Sequence, residues 1–324
     1  MSALLEVKNL STYFYTQDGV VKAVENVSYE VARGESIALV GESGCGKTVS
    51  ALSILRLIPE PQGKIVSGQI MFDGADLLKL SKKAIRQIRG AKISMVFQES
   101  MTSLNPVLTI GSQITEMLEL HRRMKRRDAF EEAIRLLTLV GIPQAKHCAK
   151  DYPHHLSGGM RQRVMIAMAI SCEPQLIIAD EPTTAVDVTI QTQLLEMIRD
   201  ITNKLGTALI LITHNLGIVA RYAQRVYVMY ASRIVEHGPS QAIYHDPRHP
   251  YTVGLLASVP RLDEPVKTRL ISIEGQPPDL IFPLLGCSFY PRCSHATPKC
   301  EEGKQEMVEI APGHYVSCWR ACNG

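Results

Sequence analysis

The chain has 324 residues, 45% hydrophobic and 21% charged, with a formal net charge of +3. That is room for two domains, or one large domain with an appendage, and the balance is that of an ordinary soluble protein. So small a charge gives no bulk electrostatic case for nucleic acid or anionic lipid, and no apolar run reaches the ~18 residues a membrane-spanning helix needs. The opening Met1-Ser2-Ala3-Leu4-Leu5-Glu6 has neither a basic region nor an apolar signal core. A cytosolic chain without structural disulfides is therefore expected.

Residues 1–35 alternate apolar and polar, with turn signals at Gln17-Asp18-Gly19 and Arg33-Gly34. They predict an antiparallel strand pair. Ile37–Val40 is an apolar run suited to a buried strand, followed by a helix over Val49–Ile58 that stops at Pro59-Glu60-Pro61-Gln62-Gly63. Strands are expected at Gly68–Phe72 and Ile93–Phe97, flanking a short helix at Leu77–Arg89. Residues 99–172 read as mostly helical, with helices at Ile110–Arg123, Arg127–Val140 and up to Ile170. Leu176–Ala179 is a continuous apolar run, as a parallel strand covered on both faces should be. Ile190, Leu194, Leu195, Ile198, Ile201 and Leu205 recur at helical spacing, with Asp187 placed to cap the start and Gly206 to end it. A strand at Thr207–Thr213 ends at His214, and a strand pair, Arg225–Tyr230 and Arg233–Glu236, turns at Ala231-Ser232. From about 240 the chain becomes rich in Pro, His, Arg and Cys.

Residues 41–48 read Gly-Glu-Ser-Gly-Cys-Gly-Lys-Thr, which is G-x-x-x-x-G-K-T at the end of a strand and the start of a helix. Glycines there let several backbone N–H groups face one anion, and the helix dipole adds to the attraction. Lys47 is placed for the β- and γ-phosphates and Thr48 for Mg²⁺. A second candidate anion site follows at Leu156-Ser157-Gly158-Gly159-Met160-Arg161-Gln162, where Ser157 and two glycines open a helix with unobstructed donors. Two such sites over ~100 residues apart suit two nucleotide sites, each shared between two chains. Asp180 and Glu181 end the strand at 176–179, one for Mg²⁺ through water and the other for the attacking water.

The 156–162 run resembles the signature of ABC-type ATPases, and Asp180-Glu181 stands at that family's spacing. The resemblance implies an α/β fold: a RecA-like P-loop core with an antiparallel β subdomain, a helical subdomain and, here, a Cys-rich C-terminal extension. It implies that Gly41, Ser43, Gly44, Cys45, Gly46, Lys47, Thr48 and Val49 hold ATP, and that Ser157, Gly158 and Gly159 close over the γ-phosphate held by the other subunit. Glu181 is then the base, His214 the switch histidine and Gln98 the glutamine that senses Mg²⁺ and water. Thr48, Gln98 and Asp180 serve Mg²⁺, and Ala185-Val186-Asp187 crosses the dimer interface. Phe14 is placed to stack on adenine, with Tyr13 as the alternative on the opposite strand face. A glycine is usual in the family where Ala231-Ser232 stands, which leaves the turn type open. The electropositive loop predicts a lowered Cys45 pKa, whereas Cys148 and Cys172 read as small apolar residues.

His249-Pro250-Tyr251-Thr252 with Leu255–Pro260 resembles the C-terminal extension of the oligopeptide and dipeptide importer ATPases. The expected division is an ATPase domain at 1–250, with its helical subdomain at about 99–172, and an extension at 251–324. Cys287, Cys293, Cys300 and Cys318 lie in that extension with spacing C-x₅-C-x₆-C-x₁₇-C, and Cys322 competes for the fourth place. These gaps are longer than zinc knuckles, and a Pro-rich tail builds little core of its own. A [4Fe-4S] cluster fits the spacing better, as the family's cysteine tail also implies, with Zn²⁺, or thiols left unligated or paired as disulfides, as the alternatives.

The resemblance further implies a head-to-tail pair with a second ATPase subunit, identical or paralogous. It implies two transmembrane permease subunits and, indirectly, an extracytoplasmic peptide-binding protein. The expected place is peripheral, on the cytoplasmic face of the membrane, with no nucleic acid partner. Nickel uptake is the rival cargo. A soluble ABC ATPase acting on DNA or ribosomes is disfavoured by the lack of duplicated halves or a strongly basic face, and an exporter by the lack of a fused membrane domain.

Overall fold

The computed structural model describes residues 3–99, 103–183, 187–258, 273–282, 285–303 and 305–322. Ala185 and Val186 of the expected interface loop lie outside them, as do Val259 and Pro260 and the side chain of Cys322. The described strands are β1 (Ala3–Tyr15), β2 (Val20–Ala32), β3 (Ser36–Val40), β4 (Gly63–Phe72), β5 (Ala75–Asp76), β6 (Ile93–Val96), β7 (Leu176–Asp180), β8 (Ala208–Thr213), β9 (Arg225–Tyr230), β10 (Arg233–Pro239), β11 (Val308–Ala311) and β12 (His314–Val316). They fall in two compact units, one of residues 1–31, 36–78 and 212–324, the other of 32–35 and 79–211.

In the first unit one sheet runs β2-β1-β4-β5. β1 and β4 are antiparallel, with Leu5 opposite Phe72, Val7 opposite Ile70 and Phe14 opposite Gly63. A second run begins at β3, all five of whose residues are buried, as suits a parallel strand covered on both faces. β3 pairs in parallel with β9, Val40 opposite Val228. β9 then turns back into antiparallel β10. Ala231 and Ser232 have φ values of 43° and 69°, so both central residues are left-handed, as a type I′ hairpin requires. The turn that usually takes glycine is made here without one.

The extension joins this sheet. β12 pairs antiparallel with β10, Glu236 opposite Val316, and β11 pairs with β12. A tail expected to build little core thus places Phe289 and Val316, 4% and 0% exposed, in the interior. Phe289 packs with Val228, Tyr230 and Tyr251 in one apolar cluster. Strand pairing with β10 supplies the partner that the Pro-rich sequence lacks by itself.

In the second unit β6 and β7 are parallel, Ile93 opposite Leu176 and Val96 opposite Ala179. The helices at Ile110–Arg122 and Arg126–Leu139 fall where the periodicity puts them. Helices Gly158–Ile170 and Val188–Leu205 meet β6 and β7 around a small internal space lined by Val96, Ile166, Ile170, Ile177, Ile198 and Ile201. Asp187 caps the second of these through Ile190 N–H at 2.9 Å, and Gly206 closes it at φ 63°. Leu194, Leu195, Ile198 and Ile201 are buried as expected, but Leu205, in the last turn, is 44% exposed.

Within the first unit a buried polar knot fastens β12 and the start of helix Pro250–Ala257 to β10. The Glu236 carboxylate, fully buried, accepts from Arg248 N–H (2.7 Å), His249 N–H (3.0 Å) and His314 Nε2 (2.8 Å). His249 Nδ1 in turn accepts from Tyr251 N–H at 3.1 Å and caps helix Pro250–Ala257. Burial pulls the His249 pKa from 6.5 to about 4. Burial also opposes ionisation of Glu236, but its hydrogen bonds, led by that from His314, outweigh it and hold the pKa below the usual carboxylate value. A protonated His249 ring cannot accept from Tyr251. The unfolded chain takes up this proton below pH 6.5, the folded chain only near pH 4, so stability is complete above pH 6.5 and falls between those values. The loss is on the order of 3 kcal/mol. The urea midpoint of the purified chain is expected to fall from pH 7.5 to pH 5, and His249→Asn, which keeps a capping acceptor without titrating, should reduce that slope, the remainder coming from His237, which burial also holds at about 4. An unchanged slope in the variant would remove His249 from the explanation.

Candidate nucleotide site

The phosphate loop starts where β3 stops. A side chain at Gly41 would collide with the Met229 carbonyl, and one at Gly46 with the Ala23 carbonyl. Gly46 also has φ 102°, which L side chains rarely adopt. It precedes helix Lys47–Ile54 and makes no side-chain cap, so no side chain from the cap covers the first-turn amides. Ser43 and Gly44 form an exposed rim, whereas Lys47 is only 5% exposed. Its Nζ donates to the Gly41 and Glu42 carbonyls at 2.7 and 2.8 Å. Thr48 and Val49 are half-buried in the first turn.

Cys45 corrects one expectation. Its Sγ lies 3.7 Å from Lys47 Nζ, yet the residue is 5% exposed, and burial raises its pKa despite that cation. The thiol is a packed neutral group rather than an activated one.

Phe14 packs over Gly63: a Cβ on Gly63 would stand 2.9 Å from the Phe14 ring. Tyr13 carries Lys22 Nζ 5.7 Å from its ring centroid. His214 follows β8 and is exposed. These residues and the phosphate loop belong to the first unit.

The second unit carries the carboxylates and the signature. Asp180 ends β7 and is 2% exposed. Glu181 takes a left-handed backbone, φ 42°, uncommon for a non-glycine residue. Gln98, 83 positions away, donates from Nε2 to Glu181 Oε2 at 3.1 Å. The structure thus brings together the two residues expected to handle water. Ser157 caps helix Gly158–Ile170 through Met160 N–H at 3.3 Å. A Cβ on Gly158 would meet nothing within 4 Å, and one on Gly159 only Ile190 at 3.4 Å, so this helix start is open to close approach. Asp187 is exposed, and its carboxylate serves as the cap described above.

Cys287, Cys293, Cys300 and Cys318 line one cavity of about 860 Å³ in the extension, with Phe289, Pro298 and Trp319. Burial, then the neighbouring thiols, push Cys287 up to about 11. Among the described residues no group of three or more His, Cys, Asp or Glu side chains is arranged to hold a single metal ion.

Three residues that sequence reasoning did not single out for the loop also touch it. Tyr251 OH accepts from Glu42 N–H at 2.8 Å, Ser232 N–H donates to the Cys45 carbonyl at 3.1 Å, and Arg292 grips the Glu42 carboxylate. Tyr251 stands in a motif visible in the sequence and Arg292 between two of the tail's cysteines, but nothing in a sequence reports a contact across 209 or 250 positions.

Residues 24–184 match the family described as ABC transporter, and residues 235–300 match the oligopeptide/dipeptide transporter C-terminal region. The dimeric structure of MJ0796, described as a bacterial ABC transporter cassette, superposes with a TM-score of 0.66 at 25% identity, over 73% of this chain and 98% of that one. The fold is that of an ABC-type ATPase. The dipeptide transport ATP-binding protein DppD of Bacillus subtilis is 49% identical over 98% of this chain and 95% of its own length. The oligopeptide transport ATP-binding protein OppD of the same organism is 48% identical over 98% of this chain and 89% of its own. The chain belongs to this family of peptide ABC transporter ATP-binding proteins.

The burial of Cys45 has a direct consequence. A thiol-alkylating reagent should label Cys45 slowly in the native protein and quickly in urea, with the half-buried cysteines, Cys172 among them, labelled before it. Peptide mapping over time checks this. Rapid native labelling of Cys45 would contradict its burial.

Proposed function

We propose that this chain is the ATP-binding and ATP-hydrolysing subunit of an importer of di- or oligopeptides. The observation that carries the reading is the pairing of an ABC transporter match over residues 24–184 with a C-terminal region matched, over residues 235–300, to the oligopeptide/dipeptide transporters. Among the described residues no helix is long and apolar enough to cross a membrane. Translocation then falls to two separate permease subunits, with this chain peripheral on their cytoplasmic face and an extracytoplasmic protein delivering the peptide. Residues 1–250 form the ATPase domain, with the helical subdomain at about 99–172, and residues 251–324 the extension.

The loop amides of residues 41–49 bind the β- and γ-phosphates, with Lys47 as the fixed cation and Phe14 or Tyr13 against the base. Thr48, Gln98 and the buried Asp180 offer the oxygen donors that Mg²⁺ prefers, and the ion would neutralise charge on the phosphates. Glu181, hydrogen-bonded to Gln98, orients the attacking water and takes its proton. His214 contacts the γ-phosphate. Ser157, Gly158 and Gly159 serve the nucleotide held by a second ATPase subunit paired head to tail, with Asp187 at that interface. Hydrolysis is therefore complete only in the pair, which couples it to the permease. Glu181→Gln should retain ATP binding and lower phosphate release in the assembled transporter by roughly 10²–10⁴, the span of a lost general base. Turnover near that of the unsubstituted protein would assign the base elsewhere.

The tail is read as the seat of a [4Fe-4S] cluster. What supports this reading is that the four cysteines line one cavity of about 860 Å³, which gathers the thiolates such a cluster takes. Cys287, Cys293, Cys300 and Cys318 would hold it, and it would brace the extension. Anaerobically purified protein should be brown and carry about four irons per chain, and Cys293→Ser should lose them. Stoichiometric zinc would overturn the cluster, and metal-free protein would overturn any metal in the tail.

A further inference from the structure

The phosphate loop contains a carboxylate, and the extension neutralises it. Glu42 is the second residue of the loop. Its N–H donates to Tyr251 OH at 2.8 Å, and its carbonyl accepts from Lys47 Nζ at 2.8 Å. Its carboxylate receives two parallel bonds from Arg292, Nη1 to Oε2 at 2.7 Å and Nη2 to Oε1 at 2.9 Å. The Arg292 side chain is 4% exposed and that of Glu42 26%, so this is not a screened surface pair. Every nitrogen of the guanidinium is engaged. Nη1 also donates to Tyr230 OH (3.3 Å), Nη2 to the Ile273 carbonyl (3.3 Å) and Nε to the Glu274 carbonyl (3.0 Å). The cation lies 5.8 Å from the Tyr230 ring centroid and 6.0 Å from that of Phe289.

A loop built to bind a triphosphate is poorly served by a carboxylate, because a nearby like charge repels the ligand. A bidentate arginine removes that repulsion in two ways. It cancels the charge, and it fixes the direction in which the side chain points. Lysine at 292 would supply the charge without the fork. We propose that Arg292 is a positioning residue of the ATP site, holding Glu42 neutralised so that the extension, through this one pair, sets the loop's affinity for nucleotide. This rests on the reading of residues 41–49 as the ATP site. Arg292 stands between Cys287 and Cys293, so the fold of the cysteine-lined segment determines where its guanidinium lies.

The test is ATP affinity of the purified full-length chain with Mg²⁺, by titration calorimetry. Arg292→Ala should raise the Kd for ATP by roughly tenfold, the scale of one uncompensated charge near a bound anion. Arg292→Lys should fall between. The decisive variant is Arg292→Ala combined with Glu42→Gln, which removes the carboxylate as well and should return the Kd most of the way. A purely structural role for Arg292 would leave the double variant as weak as the single one, and that result would overturn the proposal. So would an unchanged Kd in Arg292→Ala. Should Arg292→Ala fail to fold, Arg292→Lys against Arg292→Lys with Glu42→Gln reads the same coupling. Lys47→Ala separates the two levels: loss of ATP binding there with no effect of Arg292→Ala sinks the positioning role alone, and ATP binding that survives Lys47→Ala sinks the site itself.

Discussion

The phosphate loop must present bare backbone amides to an anion, and much of the first unit is arranged around that demand. Bare amides require that the surroundings close in without side chains. Gly41 therefore lies against the Met229 carbonyl of β9 and Gly46 against the Ala23 carbonyl of β2, with no room for a Cβ at either. Ser232, in the tight turn after β9, donates its N–H to Cys45 at 3.1 Å. Two parts of the chain far apart in sequence, residue 23 and residues 229–232, thus fix one eight-residue loop. Close packing of this kind transmits any shift between those neighbours and the loop.

That constraint gives the extension a place in the ATPase rather than beside it. β12 lengthens the sheet through β10, and Phe289 enters the core next to Tyr230 and Tyr251. The buried Glu236 ties β12, through His314, to the start of helix Pro250–Ala257. From this anchored base Tyr251 and Arg292 reach the backbone and the carboxylate of Glu42. A segment that looks like an appendage in the sequence is, physically, one wall of the nucleotide loop.

The parts legible in the sequence are those set by local chemistry. Ser157 and Asp187 cap their helices as their types suggest, and β3 and β7 are buried throughout, as their unbroken apolar runs imply. The meeting of Gln98 with Glu181 fits the roles that the family resemblance implies for them. What could not be read depends on distant partners. The Cys45 thiol sits beside a lysine, which argues for a lowered pKa, but burial wins, and burial is not a local property. The pairing of β10 with β12 joins residues nearly 80 positions apart, and the tail's weak strand signals acquire meaning only against β10. Leu205 keeps the helical spacing yet faces solvent, because periodicity marks a face and not where the neighbouring layer ends.

Two anion-ready helix starts, at Lys47 and at Gly158, occupy separate units of one chain, and their assignment to different subunits' nucleotides is the central claim. Ser157→Arg tests it most directly, because it blocks the open start of the signature helix without touching the phosphate loop. The isolated chain carrying it should bind ATP with a Kd within about twofold of the unsubstituted protein, since that difference is under ~0.5 kcal/mol. The assembled transporter should lose phosphate release by roughly 10²-fold or more, the scale of a lost electrostatic stabiliser. Loss of ATP affinity in the isolated chain, or turnover preserved in the assembly, would contradict the shared-site account.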